Sequence, residues 1–261
     1  MINKPYYRIY RPFYLNSEGI QQWSYIEDTR NCASKNQLIR VYQIIESEVI
    51  NFFQYVEPNT KNEDTFSLHL YHLLVKICIE IENNFKGIIQ ANDYNKNPSN
   101  YDITDYFKLN KYLKLNEYRT NNCYYSLIGT EAPYEEWHTT SYKPITWYQA
   151  YNNVKHNRET NLHVANLKNV LSALTGLYVL LYAQFYSYAD CITSKNILTM
   201  TPEPTKIRST ISNIDRSMIV FPGNLMGYNF TAQPNWTDDE KYSFDWSILS
   251  KDVSPFEKLS I

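Results

Sequence analysis

Apolar residues recur at spacings of three and four along two long stretches in the first third of the chain. Over 35–56 the apolar stripe runs from Leu38 to Val56, and this period predicts an amphipathic helix. Ser34 stands where the N-cap of that helix is expected. Over 65–91 two apolar rows run side by side, so we expect this second helix to lie at the centre of the fold.

A second pair of helices is predicted around a polar turn further along the chain. The stretch 148–188 is predicted to form a helix-turn-helix, and its turn, 151–158, has the sequence Tyr-Asn-Asn-Val-Lys-His-Asn-Arg. Pro144 occupies the first-turn position that proline favours at a helix start. Thr160 or Asn161 is a candidate cap for the second helix, which we expect to begin there.

The second helix of this pair lies in a long uncharged segment. Residues 169–189 carry no charged side chain, which is a length that can span a bilayer. The strongly apolar part is only about 14 residues long, and that length favours a buried core helix. We therefore predict no membrane contact.

The remaining elements are predicted to be short. A helix is expected at 103–117, with Asp102 or Thr104 as its cap, while 118–143 lacks a regular pattern. Short strands are predicted at 123–128, 217–221 and 225–230.

These elements predict a mainly α fold, a bundle of four to five helices with short strands from the N- and C-terminal segments. The chain is expected to divide into an extended arm (1–34), a helical domain (35–191) and an irregular C-terminal segment that packs on the bundle (192–261).

The amino-acid composition excludes some classes of function but does not identify one. Of 261 residues, 43% are hydrophobic, which is enough for a sizeable core. The net charge of −2 excludes a whole-chain basic field, so nucleic-acid contact would need a local patch. The 25 tyrosines indicate mainly a compositional bias, although a tyrosine-rich surface that docks a protein partner is a rival interpretation.

Cysteine and histidine positions predict no cofactor and no metal site. The four cysteines lie far apart, at Cys32, Cys78, Cys123 and Cys191. No paired thiolate zinc motif is present, and His69 and His72 have no acidic residue one turn away on their helix face. Scattered cysteines and an N-terminus without an apolar signal-peptide stretch favour free thiols in the cytoplasm.

The predicted turn concentrates the candidate chemistry. Lys155, His156, Arg158 and His163 fall within nine residues, next to a predicted helix start whose free N–H groups favour an anion such as phosphate. On one continuous helix, however, Arg158 and His163 would point about 140° apart, so both reach one phosphate only if Arg158 lies in the turn. Glu159 would oppose an anion there.

The pattern Arg158-x4-His163 at the start of a long helix in a helical bundle resembles the HEPN superfamily. The phrase Tyr151-Asn152-x-x-Lys155-His156-x-Arg158 and an upstream helix containing Glu82 resemble it as well. The resemblance covers about 35–190. It implies a homodimer, a stress or phage-defence setting, and a metal-independent endoribonuclease site built from paired motifs.

The resemblance also implies roles for individual side chains. His163 would take the proton of an RNA 2′-hydroxyl, and Arg158 would stabilise the charge of the phosphate. His156 is a further catalytic candidate, and RNA-phosphate contacts are expected from Asn152, Lys155 and Arg158. Glu82, which could orient an imidazole or stay structural, and Tyr151 are expected to support the site.

Three alternatives stay open at this point. The chain could be a HEPN-like module that dimerises or docks a partner without cleaving RNA. It could be a sensor of a phosphate-bearing ligand. Arg158 and His163 could also simply brace the helix junction against Glu80 or Glu82.

Overall fold

Helices dominate the described part of the chain. The computed structural model describes residues 1–14, 20–122, 130–186 and 225–261. Its α-helices are α1 (Lys35–Phe52), α2 (Leu68–Ala91), α3 (Ile103–Lys108), α4 (Asn110–Leu113), α5 (Thr146–His156), α6 (Arg158–Asn161), α7 (Leu167–Phe185) and α8 (Trp246–Leu249). Short 3-10 helices lie at Ile20–Glu27, Thr60–Asn62, Pro98–Asn100, Leu115–Glu117, Glu135–His138, Leu162–Val164 and Asp238–Glu240.

The centre of the bundle is the pair α2 and α7, which pack along each other, with α1 and α5 at their flanks. Every residue of α7 from Ala173 to Phe185 is buried. Gly176 lets α5 approach closely, because a Cβ atom there would lie 3.1 Å from the Trp147 ring. The mainly α prediction is confirmed. None of the helices in the described ranges is both long enough and apolar enough to cross a bilayer.

A small antiparallel sheet covers one side of α7. Its strands are β1 (Arg119–Asn122), β2 (Thr130–Glu131) and β3 (Tyr228–Ala232), in the order β2-β1-β3. The Tyr178 ring of α7 stacks on Tyr228 and Phe230 of β3, with centroids 4.8 and 5.5 Å away. The irregular pattern predicted for 118–143 is therefore wrong in part, because cross-strand pairing with a distant segment orders β1.

Of the three predicted strands, one is present in the described residues. The strand expected at 225–230 is present but displaced toward the C-terminus, as β3. The strands expected at 123–128 and 217–221 lie outside the described residues.

The two chain ends pack together beside the bundle. Ile2 and Phe13 each form an isolated bridge with Tyr242, whose hydroxyl donates to the Ile9 carbonyl at 2.9 Å. The Tyr25 ring packs edge-on against Tyr242 at 5.7 Å. Tyr25 lies in the 3-10 helix Ile20–Glu27, which falls within the segment expected to be an extended arm (1–34).

Arg8 joins this N-terminal segment to the central helix pair. Its Nε and Nη2 donate to Gln184 Oε1 of α7 at 3.0 and 2.7 Å, and Nη2 donates to Asn84 Oδ1 of α2 at 3.3 Å. Its backbone N–H donates to Asn31 Oδ1 at 2.7 Å. Arg8 is buried, and no carboxylate in the described ranges forms an ion pair with it. A φ of 57° turns its backbone into the left-handed region, which costs about 1–2 kcal/mol for a residue with a Cβ.

The ends of the shorter helices and the cap of α1 agree only in part with the predictions. Asp102 caps α3 as expected, accepting from the Thr104 N–H at 2.8 Å. The single helix predicted over 103–117 is wrong, because Lys114 adopts a left-handed conformation (φ 50°) that ends α4. The Ser34 side chain makes no capping hydrogen bond.

The predicted turn and the start of the last long helix are wrong in detail. Residues 151–156 belong to α5, so only Asn157 separates α5 from α6. Pro144 precedes α5 rather than opening it. The long helix begins at Leu167, not near Thr160 or Asn161. Its first N–H groups, those of Leu167 and Lys168, donate to the carbonyls of Thr65 and Glu63 at 2.9 and 3.0 Å, and this distant capping sets the boundary.

We expect Gly87→Ala to destabilise the protein, although alanine in a helix interior is usually favoured by about 0.5–1 kcal/mol. A Cβ atom at position 87 would overlap the Arg8 guanidinium, and moving that group breaks its bonds to Gln184 and Asn84. Urea unfolding should show a loss of about 1–3 kcal/mol, as for other overpacked cores.

The control for this prediction is the same substitution without the arginine. In an Arg8→Ala background, Gly87→Ala should become neutral or stabilising, because only helix propensity remains. Destabilisation of equal size in both backgrounds would show that Arg8 is not the cause.

Glu46 of α1 forms a hydrogen bond with the segment that precedes β3. The carboxylate is fully buried, and its Oε1 accepts from the Tyr42 hydroxyl and the Met226 N–H, each at 3.0 Å. Burial raises the pKa of the Glu46 carboxyl above its ordinary value of 4.5, because removal from water disfavours the charged form.

We predict that Glu46→Gln stabilises the protein progressively as pH rises. A raised pKa in the folded state means that the stability contribution of Glu46 is complete below about pH 4.5 and is lost as pH rises through the folded-state value. Urea unfolding at pH 5, 6, 7 and 8 should show the gap between variant and wild type growing with pH. A gap for Glu46→Gln that stays constant over these pH values would contradict the prediction.

Candidate functional site

The junction between α5 and α6 presents four ionisable side chains to solvent. Lys155 and His156 end α5, Arg158 opens α6, and His163 lies in the 3-10 turn Leu162–Val164. All four are exposed. None of them forms an ion pair with a carboxylate in the described ranges. We call these four residues the junction cluster.

Two exposed lysines elsewhere in the bundle are neutralised by neighbouring carboxylates. Lys76 lies 2.6 Å from Glu48, and Lys168 lies 3.1 Å from Glu63. Unlike these two lysines, Lys155 and Arg158 of the junction cluster keep their positive charge unpaired on a chain that is slightly acidic as a whole.

An aromatic side chain of α2 lies under the junction cluster. The Arg158 guanidinium is 5.4 Å from the centre of the Tyr71 ring, and the Tyr71 and His72 rings are 5.2 Å apart. Lys155 lies 5.0 Å from the centre of the Tyr151 ring on its own helix. Such cation–π contacts stabilise an exposed cation by about 0.5–1 kcal/mol while leaving its charge open to a ligand.

Glu82 supports α5 rather than an imidazole. Its Oε1 accepts from the Tyr148 hydroxyl at 2.9 Å, and Lys86 lies 3.6 Å from its Oε2. Burial and the Glu82 charge raise the pKa values of the Tyr148 and Tyr151 phenols, and Tyr151 is also hydrogen-bonded to Glu82. Of the two roles expected for Glu82, these contacts fit the structural one, a bridge from α2 to two tyrosines.

Backbone N–H groups do not form the expected anion site. The first N–H groups of α7 are taken by Thr65 and Glu63, and that of Asn169 donates to Asn166 Oδ1 at 3.0 Å. The Thr160 N–H donates to Asn157 Oδ1 at 3.4 Å, and α6 is only four residues long. Anion binding at this junction would therefore depend on side-chain charge.

Arg158 and His163 do not share one continuous α-helix, which removes the objection that they would point 140° apart. α6 ends at Asn161 and the 3-10 turn carries His163. Asn152 is half-buried on α5, whereas Glu159 is exposed beside Arg158. The arrangement can present a guanidinium and an imidazole along the same exposed connection.

Two of the remaining histidines serve packing. The His69 ring stacks on Phe52 with centroids 5.7 Å apart, and His138 Nδ1 lies 2.6 Å from the Glu135 carbonyl oxygen. Over the parts of the chain that are described, no three His, Cys, Asp or Glu side chains gather in a way that could hold a metal ion.

Tyr71 is the residue of this site that the sequence did not single out. It precedes Arg158 by 87 positions, and the only signal for it was its place at the edge of the apolar stripe of α2. The pairing of α2 with α5 brings the two residues together.

Comparisons of this chain with protein-family models, with curated proteins and with solved structures found no match. The charges and contacts of the junction cluster are therefore the basis for a functional proposal.

Proposed function

We propose that this chain is a HEPN-like domain that binds RNA through the junction cluster. One observation carries the proposal: Lys155, His156, Arg158 and His163 are exposed together without carboxylate partners in the described ranges. Unpaired cations increase the affinity for a polyanion, because each phosphate contact also releases a condensed counterion. The resemblance to the HEPN superfamily, which rests on the order of these residues before a long buried helix, also supports the proposal.

Tyr71 favours RNA over a small phosphate-bearing ligand. The ring lies directly beneath Arg158, and aromatic faces and guanidinium planes stack on unpaired bases. A sensor of a small phosphate compound would be expected to enclose its ligand in a pocket, whereas all four members of the junction cluster lie in the open.

The finer proposal is metal-independent cleavage of the bound RNA, in a homodimer that pairs two such motifs. His163 removes the proton from a 2′-hydroxyl, and the 2′-oxygen then attacks the adjacent phosphorus. Arg158 stabilises the added charge on the phosphate oxygens. The bond from phosphorus to the 5′-oxygen breaks, and the leaving oxygen takes a proton from protonated His156. The products carry a 2′,3′-cyclic phosphate and a 5′-hydroxyl.

We expect the double variant Lys155→Ala/Arg158→Ala to bind labelled RNA at least tenfold more weakly than the wild type. Because two phosphate contacts are removed, the slope of log affinity against log salt should fall by about 1.4 for a single strand. Fluorescence anisotropy over a salt series measures both quantities. Arg40→Ala, an exposed arginine on α1, is the matched control, and an equal loss for that variant would refute binding at the junction cluster.

If the bound RNA is cleaved, His163→Ala should lower the cleavage rate about 10²- to 10⁴-fold, the range for loss of a general base. Binding should fall much less than the rate. The assay is run in excess EDTA, and the product ends are identified by their cyclic phosphate. Binding without cleavage by the wild type would sink the nuclease proposal and leave RNA binding intact.

A further inference from the structure

A small polar cavity lies between the sheet and α7. Its oxygen-bearing lining residues include Thr120 of β1, Glu131 of β2, Thr175 of α7 and Tyr228 of β3. It leaves about 10 Å³ for the centre of a water-sized sphere, which is room for one water molecule or one small ion. No organic ligand fits such a space.

Glu131 brings a carboxylate to this cavity. Its Oε2 accepts from the Ser172 hydroxyl of α7 at 2.9 Å. No cationic side chain in the described ranges pairs with it, and Lys168 is engaged by Glu63 at 3.1 Å. Burial raises the pKa of the Glu131 carboxyl, against the opposing effects of the Ser172 hydrogen bond and the Lys168 charge, because desolvation disfavours the charged form.

Thr120 supplies a second oxygen on the same side of the sheet. It lies directly opposite Glu131 in the antiparallel pair of β1 and β2, so the two side chains project from the same face. Thr120 is fully buried, and its Oγ1 has no hydrogen-bond partner among the described residues. A buried hydroxyl in this state costs about 1–3 kcal/mol, which a ligand in the cavity would recover.

The far side of the cavity adds further oxygen atoms. Thr175 Oγ1 and Tyr228 Oη lie 3.1 Å apart. Among the side chains that line the space, one carboxylate, three hydroxyls and the amides of Asn121 and Asn122 offer oxygen atoms, and Met226 adds a thioether. Hard cations prefer the oxygen ligands.

We propose that this cavity binds one small, hard monovalent cation of the Na⁺ class, with Glu131 and Thr120 as its principal side-chain ligands. A water molecule would satisfy Thr120 but would bring no positive charge to the Glu131 carboxylate, whose cationic neighbour Lys168 is shared with Glu63. One carboxylate balances a single positive charge, and the cavity favours an ion no larger than water. The ion would join β1 and β2 to α7 at the point where Ser172 already holds Glu131.

The test is thermal unfolding of the full chain in NaCl, KCl and tetramethylammonium chloride at equal ionic strength. Na⁺ should raise the Tm of the wild type by a few degrees over both other salts, because a ligand that binds only the folded state stabilises it. Thr120→Val, which removes the hydroxyl at nearly constant shape, and Glu131→Gln should each abolish the difference between salts.

Thr130→Val is the matched control, because Thr130 is an exposed neighbour on β2, and this variant should keep the full Na⁺ effect. Broadening of the ²³Na magnetic resonance line by the folded wild type, and its loss in Thr120→Val, gives a second measurement independent of stability. Equal Tm values in the three salts, or a Na⁺ effect that survives in both cavity variants, would overturn the proposal.

Discussion

A positive charge buried with no carboxylate partner among the described residues is the constraint on which the position of the N-terminal segment depends. The Arg8 guanidinium is held by the amide oxygens of Gln184 and Asn84, so one side chain ties the N-terminal segment to both central helices. Neutral partners compensate only part of the cost of burying a charge, and so each must be kept in place. Gly87 is required because the guanidinium passes where its side chain would be.

Sequence periodicity was sufficient for the long helices, because their apolar faces repeat over many turns and average out local exceptions. It failed at the start of α7, where the apolar spacing continues from Val164 to Leu167 although the backbone does not. The boundary is set by carbonyls of Glu63 and Thr65, about a hundred positions away in the chain. No local pattern contains that information. Strand β1 was not predicted for the same reason, because it is ordered by pairing with β3, which is distant in the sequence.

In the candidate site, too, the local features could be predicted from the sequence and the long-range contacts could not. Its charged members are neighbours in sequence and were identified from it, because charge density is a local property. Their surroundings were not, since Tyr71 reaches Arg158 only through the packing of α2 beside α5. The sequence left the role of Glu82 open, because an acidic residue in a helix does not reveal its partner. The structure gives it Tyr148 and Lys86, and a carboxylate already shared in this way stabilises α5 rather than a histidine.

Net charge is a poor guide to what this chain can bind. At an ionic strength of 0.1 M, charges separated by more than about 10 Å are largely screened from each other, so a ligand responds to its immediate surroundings and not to the total of −2. Lys76 and Lys168 add little to the outward field because Glu48 and Glu63 neutralise them. Lys155 and Arg158 contribute fully, because aromatic rings position them without cancelling their charge. A slightly acidic protein can therefore present a locally basic surface, and its affinity for a polyanion would depend steeply on salt.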